Sequence, residues 1–286
     1  MEEPEELDKY IDTLINAELN KLVAERIAPY TCQFLKMDTG KGLIPFASGV
    51  LAELSSNYYI LTASHVIEDW SDTNKLFVEI RGGHVSVVGK AYGTEETEDK
   101  LDITYIKLKP AIVPYLKDWY KFLTLDKFFE HNKSLLEPDY CAYGYPVAYQ
   151  RRENDQLKPL GVAHWGKPSQ DKVFFHYRFN PLAHYLIDIQ GKGMNTKTGI
   201  YEKINLEHYG LSGGGLWYTR VDYKREKFIS DARLIGIMIE FRKGKYNCLI
   251  ANRIEVILAA IQLHESVKLM PEKKRFVKLF KKPKRK

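Results

Sequence analysis

Two hydrophobic periods follow one another along the chain. Residues 4–27 place Leu7, Ile11, Leu14, Ile15, Leu19, Leu22, Val23 and Ile27 at spacings of three and four, the period of an amphipathic helix. Pro4 suits a first helical turn and Pro29 ends the run. Such a helix ordinarily buries its apolar stripe against the body; the alternative is a docking surface for a protein partner. From residue 30 the pattern changes to short β-rich runs at 30–36, 46–54, 58–62, 75–80, 84–91 and 103–108. Asp38 to Gly42, Ser55-Ser56-Asn57 and Gly82-Gly83 punctuate them as turns. Six strands at this spacing predict a small closed antiparallel barrel.

Residues 111–135 break the alternation, and Tyr115 to Phe129 reads as a helical connector. A second β-rich set follows at about 139–144, 158–165, 173–179, 184–190, 214–220, 232–240 and 246–251. Seven candidates are one more than a second six-stranded barrel needs, so one is expected to be a loop or a split strand. Asn252 to His264 then reads as a helix with Ile254, Val256, Ile257, Ala260 and Ile261 on one side. The predicted division is therefore an amphipathic helix over 1–28, a first barrel over 29–110, a helical connector over 111–136, a second barrel with its closing helix over 137–264, and a tail over 265–286.

Composition narrows the class. At 286 residues, 44% apolar and 28% charged, the chain has enough apolar material for one large or two small cores. No run approaches the ~18 apolar residues of a membrane span. The opening segment is acidic (Glu2, Glu3, Glu5, Glu6, Asp8) and lacks the pattern of a secretory signal. Cys32, Cys141 and Cys248 are few, odd in number and scattered, which fits reduced structural thiols and a cytoplasmic location. The net charge of +6 is concentrated at one end. Residues 265–286 carry ten Lys and Arg against Glu265 and Glu272, a net +8, so the other 264 residues sum to −2. Phe276, Val277, Leu279 and Phe280 interleave with the lysines. That mixture suits an anionic membrane surface or nucleic acid, or equally a solvated tail without a partner.

The chemistry lies in three stretches. Gly210-Leu211-Ser212-Gly213-Gly214 sets one serine among glycines, which let backbone N–H groups approach a developing oxyanion. A serine hydroxyl needs a base titrating near neutrality. His65, in the small-residue corner Thr62-Ala63-Ser64-His65-Val66 that follows a buried-type strand, fits that role. The base needs a carboxylate on its other nitrogen, and Asp102, opening the strand Asp102-Ile103-Thr104-Tyr105-Ile106-Lys107-Leu108, is the candidate, with Asp99 a rival. Gly-x-Ser-x-Gly also describes the α/β-hydrolase elbow, but that class runs Ser, Asp, His and alternates strands with helices. Only Asp222, Asp231 and His264 follow Ser212, and the chain here runs strand after strand.

These stretches resemble the Thr-Ala-x-His, Asp-Ile-x-hydrophobic and Gly-x-Ser-Gly-Gly signatures of the chymotrypsin/trypsin-like serine proteases, in the same His, Asp, Ser order. The likeness covers about residues 30–263. It implies an all-β fold of two antiparallel six-stranded barrels of chymotrypsin-like type, with the N-terminal and C-terminal helices added. It also implies an endopeptidase acting through an acyl-enzyme on Ser212, with His65 as general base, Asp102 as orienter, and the backbone N–H groups of Gly210 and Ser212 as oxyanion hole. A cofactor or metal has no part in it, and the partner is a protein or peptide substrate. The alternative is a barrel pair that keeps the triad but acts by binding a partner protein.

Two departures stand out. Leu211 occupies the place where secreted members carry the aspartate that pairs with a freed N-terminus, so activation of that kind is not expected. The family's disulfides are missing, since only Cys141 matches a usual partner. Both features resemble intracellular bacterial members, and they fit an enzyme controlled through the N-terminal helix or the basic tail. In the family's place for the primary pocket, Leu206, Glu207 and His208 form one wall and the base, with Ile239, Glu240 and Phe241 opposite. A bulky Phe241 there implies a shortened pocket for a small or apolar residue.

Overall fold

A computed structural model describes residues 14–68, 76–80, 83–94, 100–128, 140–153, 156–189, 192–195, 201–203, 210–224 and 227–269. The described residues are mostly β, arranged as two large sheets and a separate two-stranded hairpin, with helices at either end.

The first sheet contains β1 (Thr31–Asp38), β2 (Gly42–Leu54), β3 (Asn57–Thr62), β4 (Leu76–Ile80), β5 (Gly83–Ser86), β6 (Gly89–Gly93) and β7 (Thr104–Leu108). They lie in the order β5-β4-β1-β2-β3-β7-β6, with antiparallel neighbours. The β1–β2 turn forms because the Asp38 carboxylate accepts from the N–H groups of Gly40 and Lys41, both at 3.0 Å. Among the described residues no ladder joins the two edge strands, so the expected closed barrel is a half-barrel instead. The run at 84–91, read as one strand, bends at Val87 and Val88 and its halves serve opposite edges. Val87 N donates to Leu76 O at 2.8 Å and Lys109 N donates to Val88 O at 2.9 Å. Phe34, Leu51, Ile60, Val78 and Ile106 fill its interior and are completely buried.

The second sheet does close. β8 (Tyr140–Gly144), β11 (Val162–Pro168), β12 (His184–Ile189), β17 (Cys248–Arg253), β16 (Lys227–Arg242) and β15 (Gly215–Lys224) form a six-strand antiparallel barrel. Closure comes from β11, which pairs with β8 over Val162–Gly166 and with β12 over Gly166–Pro168. Its midpoint, Gly166, lets the backbones meet: a Cβ there would lie 2.5 Å from the Asp188 carbonyl oxygen. The sequence did not reveal two hairpins on this unit, β9 (Arg151–Glu153) with β10 (Gln156–Lys158) and β13 (Lys192–Asn195) with β14 (Tyr201–Lys203).

Two helical expectations are corrected. The surplus strand at 173–179 is a helix (Asp171–Tyr177), closed by Arg178 in the left-handed region at φ 57°. Its β-like run of Val173, Phe174 and Phe175 does not meet a sheet edge: Val173 is buried, while Phe175 is 82% exposed. The connector helix is only five residues long (Val113–Lys117). Beyond it Leu123 runs extended beside β2, donating to Leu51 O at 3.0 Å and accepting from Glu53 N at 2.8 Å. Pairing with an existing strand satisfies that backbone and buries Phe122 and Leu123, which a solvent-facing helix would not.

The opening helix is present over residues 14–22, continuing as a π-turn over Val23–Ile27. Leu22, Val23 and Ile27 are buried in a core shared with Val50 and Tyr105 of the first unit, Trp217 and Leu234 of the second, and Ile257 and Ile261 of the closing helix (Ile254–Glu265). Leu14 and Ile15 are each 38% exposed, so the helix is docked by its last turn. Leu7 and Ile11 lie outside the described residues, as does the tail from residue 270 onward. Cys32, Cys141 and Cys248 are buried free thiols, and burial pushes all three above their ordinary pKa. Among the described residues no helix is long and apolar enough to cross a membrane.

Candidate active site

The first unit supplies a His–Asp pair. His65 sits in a single 3-10 turn (Ser64–Val66) directly after β3, and Asp102 lies in the segment leading into β7, the neighbour of β3. Ser64 binds the two segments together, donating to Ile103 O at 2.6 Å with Thr104 Oγ1 at 2.9 Å. His65 N then donates to Asp102 Oδ1 at 3.0 Å, while His65 Nδ1 is 2.5 Å from Asp102 Oδ2. The carboxylate accepts both bonds, so the proton resides on Nδ1 and the Nε2 lone pair is left to act as a base. From the second unit, Asn252 Nδ2 donates to Asp102 O at 2.9 Å, and one ring nitrogen of the buried His184 lies 3.0 Å from Lys100 O. The Asp102 segment is thus held from both units. Asp99, the rival carboxylate, lies outside the described residues.

Opposing influences act on the His65 imidazole. Partial burial disfavours its charged form most strongly among single causes. The hydrogen bond and charge of Asp102, aided by Glu68 and Glu240, outweigh it and raise the pKa above the ordinary value of 6.5.

The serine comes from the loop leading into β15. Gly210 and Gly213 take φ of +96° and +81°, and a Cβ at Gly213 would fall 2.0 Å from Ser48 O and 2.2 Å from Thr62 Oγ1. Only glycine lets the loop approach that closely. Gly213 N donates to Met238 O at 2.8 Å, Met238 N to Gly214 O at 2.8 Å, Gly214 N to Leu211 O at 2.9 Å, and Ser48 N to Ser212 O at 2.9 Å. A peptide's N–H points opposite its C=O, so the Leu211 bond fixes the direction of the Ser212 N–H. The Gly210 N–H belongs to a peptide that begins at Tyr209, outside the described residues. Leu211 is buried among Tyr140, Leu216, Met238 and Leu249, so apolar packing rather than a charge pair anchors this loop.

Ser212, His65 and Asp102 line one open cleft of about 800 Å³ between the two units, together with Ile239, Glu240 and Phe179. Charged groups of both signs border it: Lys100 donates to Tyr177 O at 2.8 Å over the Phe179 ring, and Arg242 pairs with Glu240 at 2.9 Å. Ser212 Oγ itself donates to Ile239 O at 3.1 Å. Among the described residues no hydrogen bond joins it to His65. Ile239 sits where β16 slips register against β17, between Met238 and Glu240, so its carbonyl is released from the ladder. Proton transfer to His65 therefore requires Ser212 to rotate about its Cα–Cβ bond.

Of the expected specificity residues, Leu206, Glu207 and His208 lie outside the described residues, while Ile239 and Phe241 both line the cleft. Phe241 also borders, with Leu211, Met238 and Leu249, a recess beside Ser212 of only about 10 Å³. That is no more than a single water needs. Sequence reading missed Ser48, Asn252 and the Arg242–Glu240 pair. Ser48-Gly49 offered a faint signal, two small residues interrupting an otherwise apolar strand. Neither a protein-family model nor a curated protein matches the chain.

Proposed function

We propose that the chain is a serine endopeptidase of the chymotrypsin/trypsin-like type. The observation that carries this is the two-point seating of His65 on Asp102, 3.0 Å at the backbone N–H and 2.5 Å at Nδ1, in the cleft that Ser212 also lines. With Nδ1 committed to the carboxylate, Nε2 takes the Ser212 hydroxyl proton as Oγ bonds to a peptide carbonyl carbon. The carbonyl electron pair moves onto oxygen, opposite the N–H groups of Ser212 and Gly210. Collapse breaks the C–N bond, His65 gives its proton to the departing amine, and the acyl group remains on Ser212. Water attacks next by the same base, releasing the acid and restoring the serine. The shallow apolar recess at Phe241 favours a small or apolar residue before the cut.

One observation favours a second reading, a latent enzyme or binding module: the Ser212 hydroxyl is spent on Ile239 O. Fluorophosphonate labelling distinguishes the two. The hydrolase reading expects covalent labelling of the full chain that disappears in Ser212→Ala and His65→Ala. A folded wild-type chain that never labels would instead support the latent or scaffold reading.

A further inference from the structure

We infer that Ser48 is a positioning residue for the oxyanion side of the Ser212 site, an inference that rests on the hydrolase reading above. Ser48 belongs to β2 in the first unit and is completely buried. Four hydrogen bonds leave this one residue. Its Oγ donates to Gly210 O at 2.8 Å and accepts from Tyr145 N at 2.9 Å. Its N–H donates to Ser212 O at 2.9 Å, and its carbonyl accepts from Thr62 Oγ1 at 3.0 Å.

These bonds fall on the groups whose relative placement the chemistry needs. Thr62 ends the strand that delivers His65, so one bond ties Ser48 to the base. Two others hold consecutive parts of the nucleophile loop. The peptide 212–213 is fixed at both ends, its oxygen by Ser48 N and its N–H by Met238 O. The peptide 210–211 is held at its oxygen by the Ser48 hydroxyl. That plane adjoins Gly210, whose φ of +96° lies in a region where glycine turns freely and a peptide can flip. Without the hydroxyl, Gly210 O and Tyr145 N both lose a buried partner, and rotation of the 210–211 plane becomes the easiest way to recover one. That plane joins the peptides 209–210 and 211–212, which carry the Gly210 and Ser212 N–H groups, so freeing it loosens the placement of the two donors relative to each other while leaving the His65–Asp102 pair untouched. Ser48 touches no reacting atom in this scheme. It acts through the loop.

The test uses the full chain and probes that require no knowledge of the natural substrate. The acylation burst with p-nitrophenyl acetate reports attack by Ser212, and phenylboronic acid mimics the tetrahedral state. Ser48→Ala and Ser48→Gly both keep the backbone N–H and carbonyl; the first removes only the hydroxyl and the second the whole side chain. The burst rate constant and boronate affinity are expected to fall together, on the order of tenfold to a hundredfold. The pH midpoint of the burst, set by His65 and Asp102, should stay at its wild-type value. Folded variants within about twofold of wild type on both probes would overturn the inference, as would a fall accompanied by a moved midpoint. Loss of the fold in both variants would also overturn it, by making Ser48 a structural residue only. A wild-type chain with neither a burst nor fluorophosphonate labelling defeats the hydrolase reading itself, before any Ser48 substitution is made.

Discussion

Replacing Asp102 with asparagine is the sharpest perturbation of the proposed chemistry, because the structure dictates how the amide must sit. The His65 backbone N–H donates to Oδ1 and needs an acceptor, so the asparagine oxygen takes that place. Its NH₂ then faces His65 Nδ1, where the carboxylate oxygen stood at 2.5 Å. A donor there forces the ring proton onto Nε2, and Nε2 stops being a base. The lost charge-assisted bond is worth about 1.5–3 kcal/mol, and returning the ring to the useful tautomer against the amide costs about two neutral bonds, roughly 2–3 kcal/mol. Together these give about 4–6 kcal/mol, or on the order of 10³–10⁴-fold in acylation at 1.36 kcal/mol per decade. The pH profile provides a second readout. His65 acts unprotonated, so the wild-type rate should rise with pH through a midpoint above the ordinary histidine value. Without the Asp102 charge, the burial that already opposes protonation prevails, and the midpoint should move down. Acylation bursts measured from about pH 5 to 9 on both proteins decide the matter. A variant within tenfold of wild type, or one with an unmoved midpoint, would refute the tautomer reasoning.

Further expectations follow from the same structure. Glu79 is buried on β4, which raises its pKa from 4.5 to about 7, so the native state binds a proton that the unfolded state has released. Its contribution should be fully present below about pH 4.5 and lost as pH rises through about 7, by about 3 kcal/mol at most. Glu79→Gln should flatten that slope in urea denaturation, and an unchanged slope would place the pH dependence elsewhere. His65 adds a smaller trend of the same sign, since its raised native pKa favours the folded state at low pH and the gain fades above that value; Asp102→Asn should remove it. Leu22→Ala, at a buried position of the shared core, should cost about 2–5 kcal/mol in the same experiment; a cost below about 1 kcal/mol would show that the helix is not held by this face. Cys32, Cys141 and Cys248 should resist a thiol-specific reagent until the chain unfolds, and prompt native-state labelling of any one would contradict its burial.

The sequence alone determined what depends on neighbours close along the chain. Apart from the β9–β10 and β13–β14 hairpins, the strands appear within a few residues of their predicted places, because alternation and turn residues are local. So are the end of the opening helix at Pro29 and the span of the closing helix. The turn that presents His65, and the glycines around Ser212, were legible for the same reason: their backbone demands are written in adjacent residues. Tertiary structure decided what depends on pairing at a distance. Val173 to Phe179 has a strand's composition, yet Val173 to Tyr177 is helical and, among the described residues, pairs with no strand. Leu123 lies in a helix-like stretch, yet it is extended because β2 offers it hydrogen bonds. The bend at Val87 and Val88 leaves one sheet unclosed, while the double pairing of β11 closes the other. At the site, the Ser212 loop and β2 are 162 residues apart at the Ser48–Gly210 bond. No local pattern records such a contact. The residue types of the candidate site were therefore in the sequence, while the present partner of the Ser212 hydroxyl came only with the folding of the second sheet, and the contacts of Ser48 with the Ser212 loop only with the packing of the two sheets.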